Sequence, residues 1–284
     1  MPPTTPFHTP PPTPTIFTLQ FPTPGILLVT ITREHRMNSI TMHGHHEGAA
    51  IWTWFDDEPS MRVAVITGAG DKMFCGGGDI LEHTDDHNGE KKAQALVDVA
   101  AAGGIAGLTQ RRLKKPVIAA VNGMALGGGV EVCLNCDIVI ASPTAEFALS
   151  EIRHGLFAGA GGLARIVRNC GMQIGSELAL TGRRLTASEA QRYGLVNRIS
   201  ASHGTLLQEA LALAREIMAA ASPDAVIVTK AGLREAWESG SVEQAARVTA
   251  ERYGRALMQG ENLRIGLEAF ARGERRPRWV DSKL

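Results

Sequence analysis

The chain has 284 residues, and its 29 Lys and Arg are balanced by 29 Asp and Glu. The formal net charge is zero, which leaves no electrostatic footprint for nucleic acid or an anionic membrane surface. A composition of 44% hydrophobic and 20% charged residues is that of a soluble globular chain with a self-supporting core of one or two domains, and no uninterrupted apolar run reaches the roughly 18 residues of a helical membrane span.

Residues 1–24 hold nine of the fourteen prolines, interleaved with threonines. Proline lacks a backbone donor and the stretch has little apolar content, so an extended, mobile tail is expected. It lacks the charged and apolar regions of a secretory signal, and with no Arg or Lys before Arg33 it is a poor mitochondrial presequence. The body then begins at Gly25. Ile26–Ile31 reads as a buried strand, and a helix is expected from about Thr41 to Asp57, with Ile51, Trp54 and Phe55 forming its apolar stripe. Val63–Thr67 is a second strand. The stretch from Asp79 to Gln110 reads as helix-rich but irregular, with an acidic, His-containing part at Glu82–Glu90 that is expected to be mobile or variable beside a site. Val117–Val121 and Ile138–Ala141 are further strands, and this alternation predicts an α/β core over 25–200.

Beyond Ser200 only helical patterns remain. Leu206, Ala210, Leu213 and Ile217 recur at helical spacing, Pro223 opens a helix, Ser241 and Gln244 form a capping signature, and Gly260 precedes a last helix. Residues 201–281 therefore read as a helical region that packs on the core or on another subunit. Ser282-Lys283-Leu284 matches the peroxisomal import tripeptide, which a receptor reads when it is exposed at a free carboxyl terminus of a eukaryotic protein. Cys75, Cys133, Cys136 and Cys170 lie in apolar segments and are expected to be reduced thiols. Cys133 and Cys136 lack the second pair that a zinc site requires.

Two glycine-rich stretches carry the chemistry. Asn122-Gly-Met-Ala-Leu-Gly-Gly-Gly-Val-Glu131 follows a strand and enters a helix. Its glycines allow a sharp bend and close approach of a ligand, and the first helix amides are unpaired donors suited to a developing oxyanion. Phe74-Cys-Gly-Gly-Gly-Asp79 follows the Val63 strand and is a second source of amides. Glu131 lies in the first turn of the helix, where it also has the plain reading of a carboxylate complementing the helix dipole. Ser150-Glu151-Ile152-Arg153-His154-Gly155 brings a second carboxylate ahead of Gly159-Ala-Gly-Gly162. Two carboxylates and two amide donors are what general acid–base chemistry beside a carbonyl requires.

These pieces, with Lys115-Pro-Val-Ile-Ala-Ala-Val-Asn-Gly123, Cys136-Asp137, Leu180-Thr-Gly182, Ala190 to Val196 and Met37-Asn38-Ser39, resemble the enoyl-CoA hydratase/isomerase, or crotonase, family over roughly residues 26–200. The resemblance implies an α/β spiral of ββα units with a C-terminal helical oligomerisation region, assembling as a homotrimer or hexamer. It implies an acyl-CoA substrate, coenzyme A being part of that substrate, with no metal and no other cofactor. By motif position the oxyanion amides are those of Gly78 and Gly128, the catalytic pair is Glu131 and Glu151, and Asp79, Ile80, Leu81, Gly127 and His154 fall at substrate-binding positions. Having both glutamates favours a hydro-lyase that adds water to a 2-enoyl thioester or removes it from a 3-hydroxyacyl thioester, in peroxisomal β-oxidation or in secondary metabolism such as mevalonyl-CoA dehydration. The alternative is 3-enoyl-CoA double-bond isomerisation, which one carboxylate can perform.

Three departures from the family pattern bear on acyl specificity: Ala158 for a usual proline, His154 for an aliphatic residue, and His43, His45 and His46 in the first helix. His43, His46 and Glu47 share a helix face but lack a fourth metal ligand. The three histidines read instead as solvated or acyl-pocket groups. Gly159-x-Gly161-x-x-Ala164 matches a dinucleotide fingerprint formally, but it lacks the preceding apolar strand. The absence of a G-x-S-x-G elbow disfavours a serine hydrolase.

Overall fold

The structure is a computed structural model that describes residues 7–79, 82, 94 and 97–284. Four apolar runs form its centre: β2 (Ile26–Ile31), β3 (Val63–Gly68), β5 (Val117–Val121) and β7 (Ile138–Ala141). They pair in parallel, with Ile26 opposite Val63, Val65 opposite Ile118 and Ile118 opposite Ile138. Parallel strands are covered on both faces, so they read as continuous runs of Val, Ile, Leu and Ala with little polar alternation.

The two faces are covered by different helices. Leu27, Val29, Ile31, Ala64 and Ile66 belong to the larger core with Ile51, Trp52 and Phe55 of α1 (Met42–Asp57). Ile26, Leu28, Val63, Val65 and Ile118 form a second core with Leu206, Ala210, Leu213 and Ala214. These last residues come from a long C-terminal helix, Leu206–Ala220. The expected stripe at Leu206, Ala210 and Leu213 therefore belongs to this chain's own sheet. Thr41 caps α1 by accepting from the Gly44 amide at 3.0 Å, which fixes the start of that helix.

Each central strand after β2 leads into a short strand of a second sheet. β4 (Met73–Cys75) follows β3, β6 (Met124–Leu126) follows β5, and β8 (Glu146–Ala148) follows β7. With β9 (Leu185–Thr186) they form a sheet of order β4-β6-β8-β9. The larger sheet is ordered β1-β2-β3-β5-β7-β10, with β10 at Arg198–Ile199. Repetition of a long strand, a short strand and a helix gives the mixed α/β winding that the sequence leads one to expect.

The mobile-tail expectation for residues 1–24 is corrected over its described part, residues 7–24, by β1 (Phe17–Thr23), which pairs antiparallel with β2. Pro22 is tolerated there because β1 is an edge strand and a donor is dispensable on its outer side. Residues 7–16 also pack on α1. Thr9 donates its amide to Glu58 and accepts from the Trp54 indole, Thr15 donates to Glu47, and Phe7 stands edge-on to Trp54. The acidic stretch at Glu82–Glu90 lies, apart from Glu82, outside the described residues.

C-terminal to Ala220 come the helices Pro223–Glu238, Val242–Thr249 and Glu261–Ala271, joined through the shorter helical turns Ala250–Gly254 and Arg255–Gln259. Pro223 occupies the first turn, where its missing amide hydrogen costs nothing. Lys230 ties the first of these helices to the core, donating to Asp137 and to the Lys115 carbonyl, each at 2.7 Å. Among the described residues no helix is long and apolar enough to cross a membrane.

Candidate active site

Strand β6 ends at Leu126, and Gly127 turns the chain at φ 52°, a left-handed value open to glycine, into α2 (Gly128–Asn135). The loop after β4 lies directly against this turn: a Cβ added at Gly77 would stand 2.9 Å from the Gly128 amide nitrogen. Around Gly78 the bonding is done by its neighbours. Ile40 donates to the Gly77 carbonyl and the Asp79 amide donates to the Ile40 carbonyl, both at 2.8 Å. The amides of Gly78 and Gly128 donate to no acceptor among the described residues. Two unspent donors thus sit on adjoining loops, one of them at the positive end of a helix.

Glu131 is one turn into α2 and only 3% exposed. Its Oε1 accepts from the Gly162 amide at 2.8 Å, and a Cβ at Gly162 would lie as close to the same oxygen. Burial pushes the Glu131 carboxyl up to about 7. The Glu151 charge adds to this, while the bonds from Gly162 and Ala160 and the charge of Arg165 oppose it. Glu151 opens the short 3₁₀ turn Glu151–His154 after β8. Its carboxyl lies against the other glycine turn, 3.3 Å from where a Gly127 Cβ would stand. Both its carboxylate oxygens are buried without a hydrogen-bond partner among the described residues. Burial raises its pKa too, with the His154 charge pulling the other way. The structure therefore brings Glu131 and Glu151 together beside the glycine turns and raises the pKa of both carboxyls, that of Glu131 to about 7.

The other predicted positions divide. Asp79 is held by Arg33, 2.9 Å from Oδ2 to the guanidinium. Ile80 and Leu81 lie outside the described residues. His154 is exposed, with Nδ1 3.1 Å from the Ser150 carbonyl oxygen. His43 is exposed and pairs with Glu47 at 3.1 Å, His46 is exposed, and His45 is buried. No group of three or more His, Cys, Asp or Glu among the described residues is arranged to hold a metal ion.

Sequence reasoning missed three contributors. The Gly159–Gly162 turn was legible as a close-packed glycine turn, yet its role as the donor to Glu131 rests on a contact 31 residues away. Arg165 shows no motif of its own; burial lowers its pKa to about 10, and its charge still acts on Glu131. Ile105 packs beside both amide loops, its side chain 2.8 Å from a Cβ position at Gly128 and 3.9 Å from one at Gly78.

Two strands feeding glycine loops, with paired buried carboxyls beside free amides, define an enzyme of the acyl-thioester type. The chain belongs to the enoyl-CoA hydratase/isomerase family, whose model matches residues 23–282. It is 44% identical over 266 residues to mevalonyl-coenzyme A hydratase sidH of Aspergillus fumigatus, covering 94% of this chain and 95% of that one. It is 36% identical to carnitinyl-CoA dehydratase of Escherichia coli K12, with 90% and 95% covered. The crystal structure of enoyl-CoA hydratase from Bacillus anthracis superposes with a TM-score of 0.85 at 31% identity, covering 94% of this chain and all of that one.

Proposed function

We propose that this enzyme is a hydro-lyase that interconverts a 2-enoyl-CoA and a 3-hydroxyacyl-CoA, and that its acyl group is hydroxylated and branched, as in mevalonyl-CoA. The observation that carries the chemistry is the pairing of two buried carboxyls: Glu151 lies against the Gly127 turn, and its charge acts on Glu131, which the Gly162 amide holds one turn into the helix that Gly127 opens. The likeness to two mevalonyl-CoA hydratases, at 44% and 43% identity, supports the acyl class.

In the hydration direction a water is held between the two carboxyls. Glu131, as carboxylate, takes a proton from that water as the oxygen bonds to the β-carbon. The C=C electron pair moves toward the thioester, placing negative charge on its oxygen, and the Gly78 and Gly128 amides hold that charge. Glu151, as carboxylic acid, then gives its proton to the α-carbon. Dehydration runs through the same positions in reverse. The requirement is one protonated and one ionised carboxyl at the same pH, and the repulsion by which the Glu151 charge raises the Glu131 pKa disfavours ionising both together. Each oxyanion donor of this kind is worth about 2.7–4 kcal/mol.

A panel of purified thioesters tests the reading. The enzyme should dehydrate 3-hydroxyacyl-CoA and hydrate 2-enoyl-CoA substrates, with mevalonyl-CoA among the best. Turnover confined to 3-enoyl-CoA isomerisation would replace the hydro-lyase reading with the isomerase one.

The same reading includes a homotrimer or hexamer. Leu233, Val242, Met258, Leu267 and Phe270 of the C-terminal helices are 61–86% exposed. Large apolar side chains left exposed on these helices support an interface between copies. Light scattering should give three or six times 30.3 kDa; a stable monomer at micromolar concentration would contradict the assembly.

Peroxisomal residence through Ser282-Lys283-Leu284 completes the proposal. In this chain Ser282 donates its hydroxyl to Asp224, and Lys114 reaches the Leu284 carbonyl at 3.4 Å. An import receptor must compete with these contacts. Deleting Leu284 should leave catalysis intact and abolish peroxisomal import, and unchanged targeting would exclude this address.

A further inference from the structure

His45 is a charged-residue type placed where the fold offers it little hydration. It lies in the first turn of α1, 2% exposed. Its Nδ1 accepts a hydrogen bond from the Ala106 amide at 3.1 Å. A ring nitrogen that accepts carries no hydrogen, so the neutral ring bears its proton on Nε2. Burial, with the nearby His46 charge, lowers the His45 pKa to about 4, so this neutral tautomer persists across physiological pH.

The contact that sets the tautomer is itself held firmly. Ala106 has φ 54°, a left-handed conformation that costs a residue with a side chain. Its carbonyl accepts from the Trp52 indole at 3.0 Å, and Gly48 is close enough that an added Cβ would overlap that same carbonyl. The Ala106 peptide is thus pinned from both sides by α1, and it in turn fixes the ring of His45.

The free end of that ring faces the oxyanion loop. Nε2 has no hydrogen-bond partner among the described residues. It stands 3.9 Å from the position a Cβ would occupy on Gly78, and the Ile105 side chain bounds the same spot at 3.9 Å. Gly78 is therefore unlike its crowded neighbours: among the described residues a methyl group there would meet only an aliphatic side chain and an N–H donor within 4 Å. Unlike the Glu151 carboxylate oxygens, Nε2 is not sealed from solvent, so an accepting group that enters the space beside Gly78 can take the place of water on it.

We propose that His45 is a specificity-determining residue, whose Nε2–H donates to a hydroxyl of the acyl chain, other than the one that leaves, seated in the space beside Gly78. This deepens and rests on the hydro-lyase reading above. It names the feature that separates a hydroxylated acyl group from a purely aliphatic one.

The test compares two thioesters that differ in one oxygen, mevalonyl-CoA (3,5-dihydroxy-3-methylpentanoyl-CoA) and 3-hydroxy-3-methylpentanoyl-CoA. Dehydration kcat/KM is measured for the full-length enzyme, His45→Leu, His45→Gln and Gly78→Ala, each checked for folding by thermal melting. The wild type should favour the dihydroxy thioester by about 10- to 100-fold, the range for a buried polar group left without its partner. His45→Leu removes the donor and should bring the ratio near one. Gly78→Ala fills the space, with ordinary van der Waals contacts, and should lower the ratio in the same direction while folding normally. His45→Gln keeps an N–H donor and should recover part of the preference. Equal loss on both thioesters in His45→Leu would overturn the inference and make His45 a general support of the amide loop. A wild type that uses both thioesters without preference would overturn it as well, with the hydro-lyase reading left standing. A wild type that dehydrates neither would overturn both.

Discussion

Glu131→Gln and Glu151→Gln each lower hydratase turnover by about 10²–10⁴-fold, the range for positioned acid–base groups. Glutamine keeps the shape of the carboxyl and can still accept from the Gly162 amide that now holds Glu131 at 2.8 Å, but it cannot carry the proton. Thioester binding should change little, because the amides of Gly78 and Gly128 are untouched. The double variant should be only slightly worse than either single one, since both groups act on one transition state. An isomerase would behave differently, with one variant nearly inactive and the other retaining most 3-enoyl turnover. Near-normal activity of both variants on every substrate would return Glu131 to the role of a helix-start carboxylate.

The same Glu131→Gln variant carries a second signature, in stability. The folded Glu131 pKa, at about 7, lies above its ordinary value of 4.5. A raised folded pKa means that the native state holds the proton more tightly than the unfolded chain does. The resulting stability is fully present below about pH 4.5 and is lost as pH rises through about 7. Glutamine mimics the neutral form at every pH. The variant should therefore melt above the wild type at pH 8 and close to it at pH 4.5. A wild-type advantage that grows with pH would mean that the carboxylate is stabilised by its site, not burdened by it.

What could be read from the sequence follows from how local the controlling interactions are. β2, β3, β5 and β7 are buried on both faces, so burial alone writes itself as runs such as Ile-Leu-Leu-Val and Val-Ile-Ala-Ala. The helix α1 declares itself by its stripe and by Thr41. β1 does not, because an edge strand has one buried face and Pro22 reads as a breaker. The strands of the second sheet are two or three residues long, too short to show any period. Likewise residues 7–16 are held by Glu47 and Trp54 of α1 and by Glu58 just beyond its end, partners that no local pattern could name.

At the site the division is similar. Glycine loops following apolar strands are a local signal, and so is a carboxylate in the first turn of a helix. The convergence of Glu131 with Gly162, or of Glu151 with Gly127, comes from the stacking of successive windings. The His45–Ala106 contact spans 61 residues. From the sequence His45 is one of three neighbouring histidines. In the fold it is set apart, since His43 and His46 face outward while His45 turns toward the amide loop.

The amide loop and the helix that complete the site meet at Gly129, where one added methyl group has a large expected effect on both fold and activity. A Cβ there would stand 2.2 Å from the Cys75 carbonyl oxygen and 3.0 Å from its carbon. Both are backbone atoms of the buried strand β4, so no side chain can rotate away. Nor can the strand retreat, because Met73 and Cys75 are registered on Met124 and Ala125 of β6, which leads into the same helix. Gly129→Ala should thus cost more than about 3 kcal/mol, at or beyond the upper end of overpacking effects. At the ~2–4 °C per kcal/mol typical of chains a little shorter than this one, the melting point should fall by at least about 6 °C. Hydratase activity should drop further than the folded fraction explains, because displacing Cys75 moves the Gly76–Gly78 loop that presents one of the two oxyanion donors. Gly240→Ala is the matching control: an added Cβ meets nothing within 4 Å there, and its melting point should stay with the wild type. A Gly129→Ala enzyme that melts and turns over like the control would show that β4 and the helix start can separate, and that the two amides need not be held by this contact.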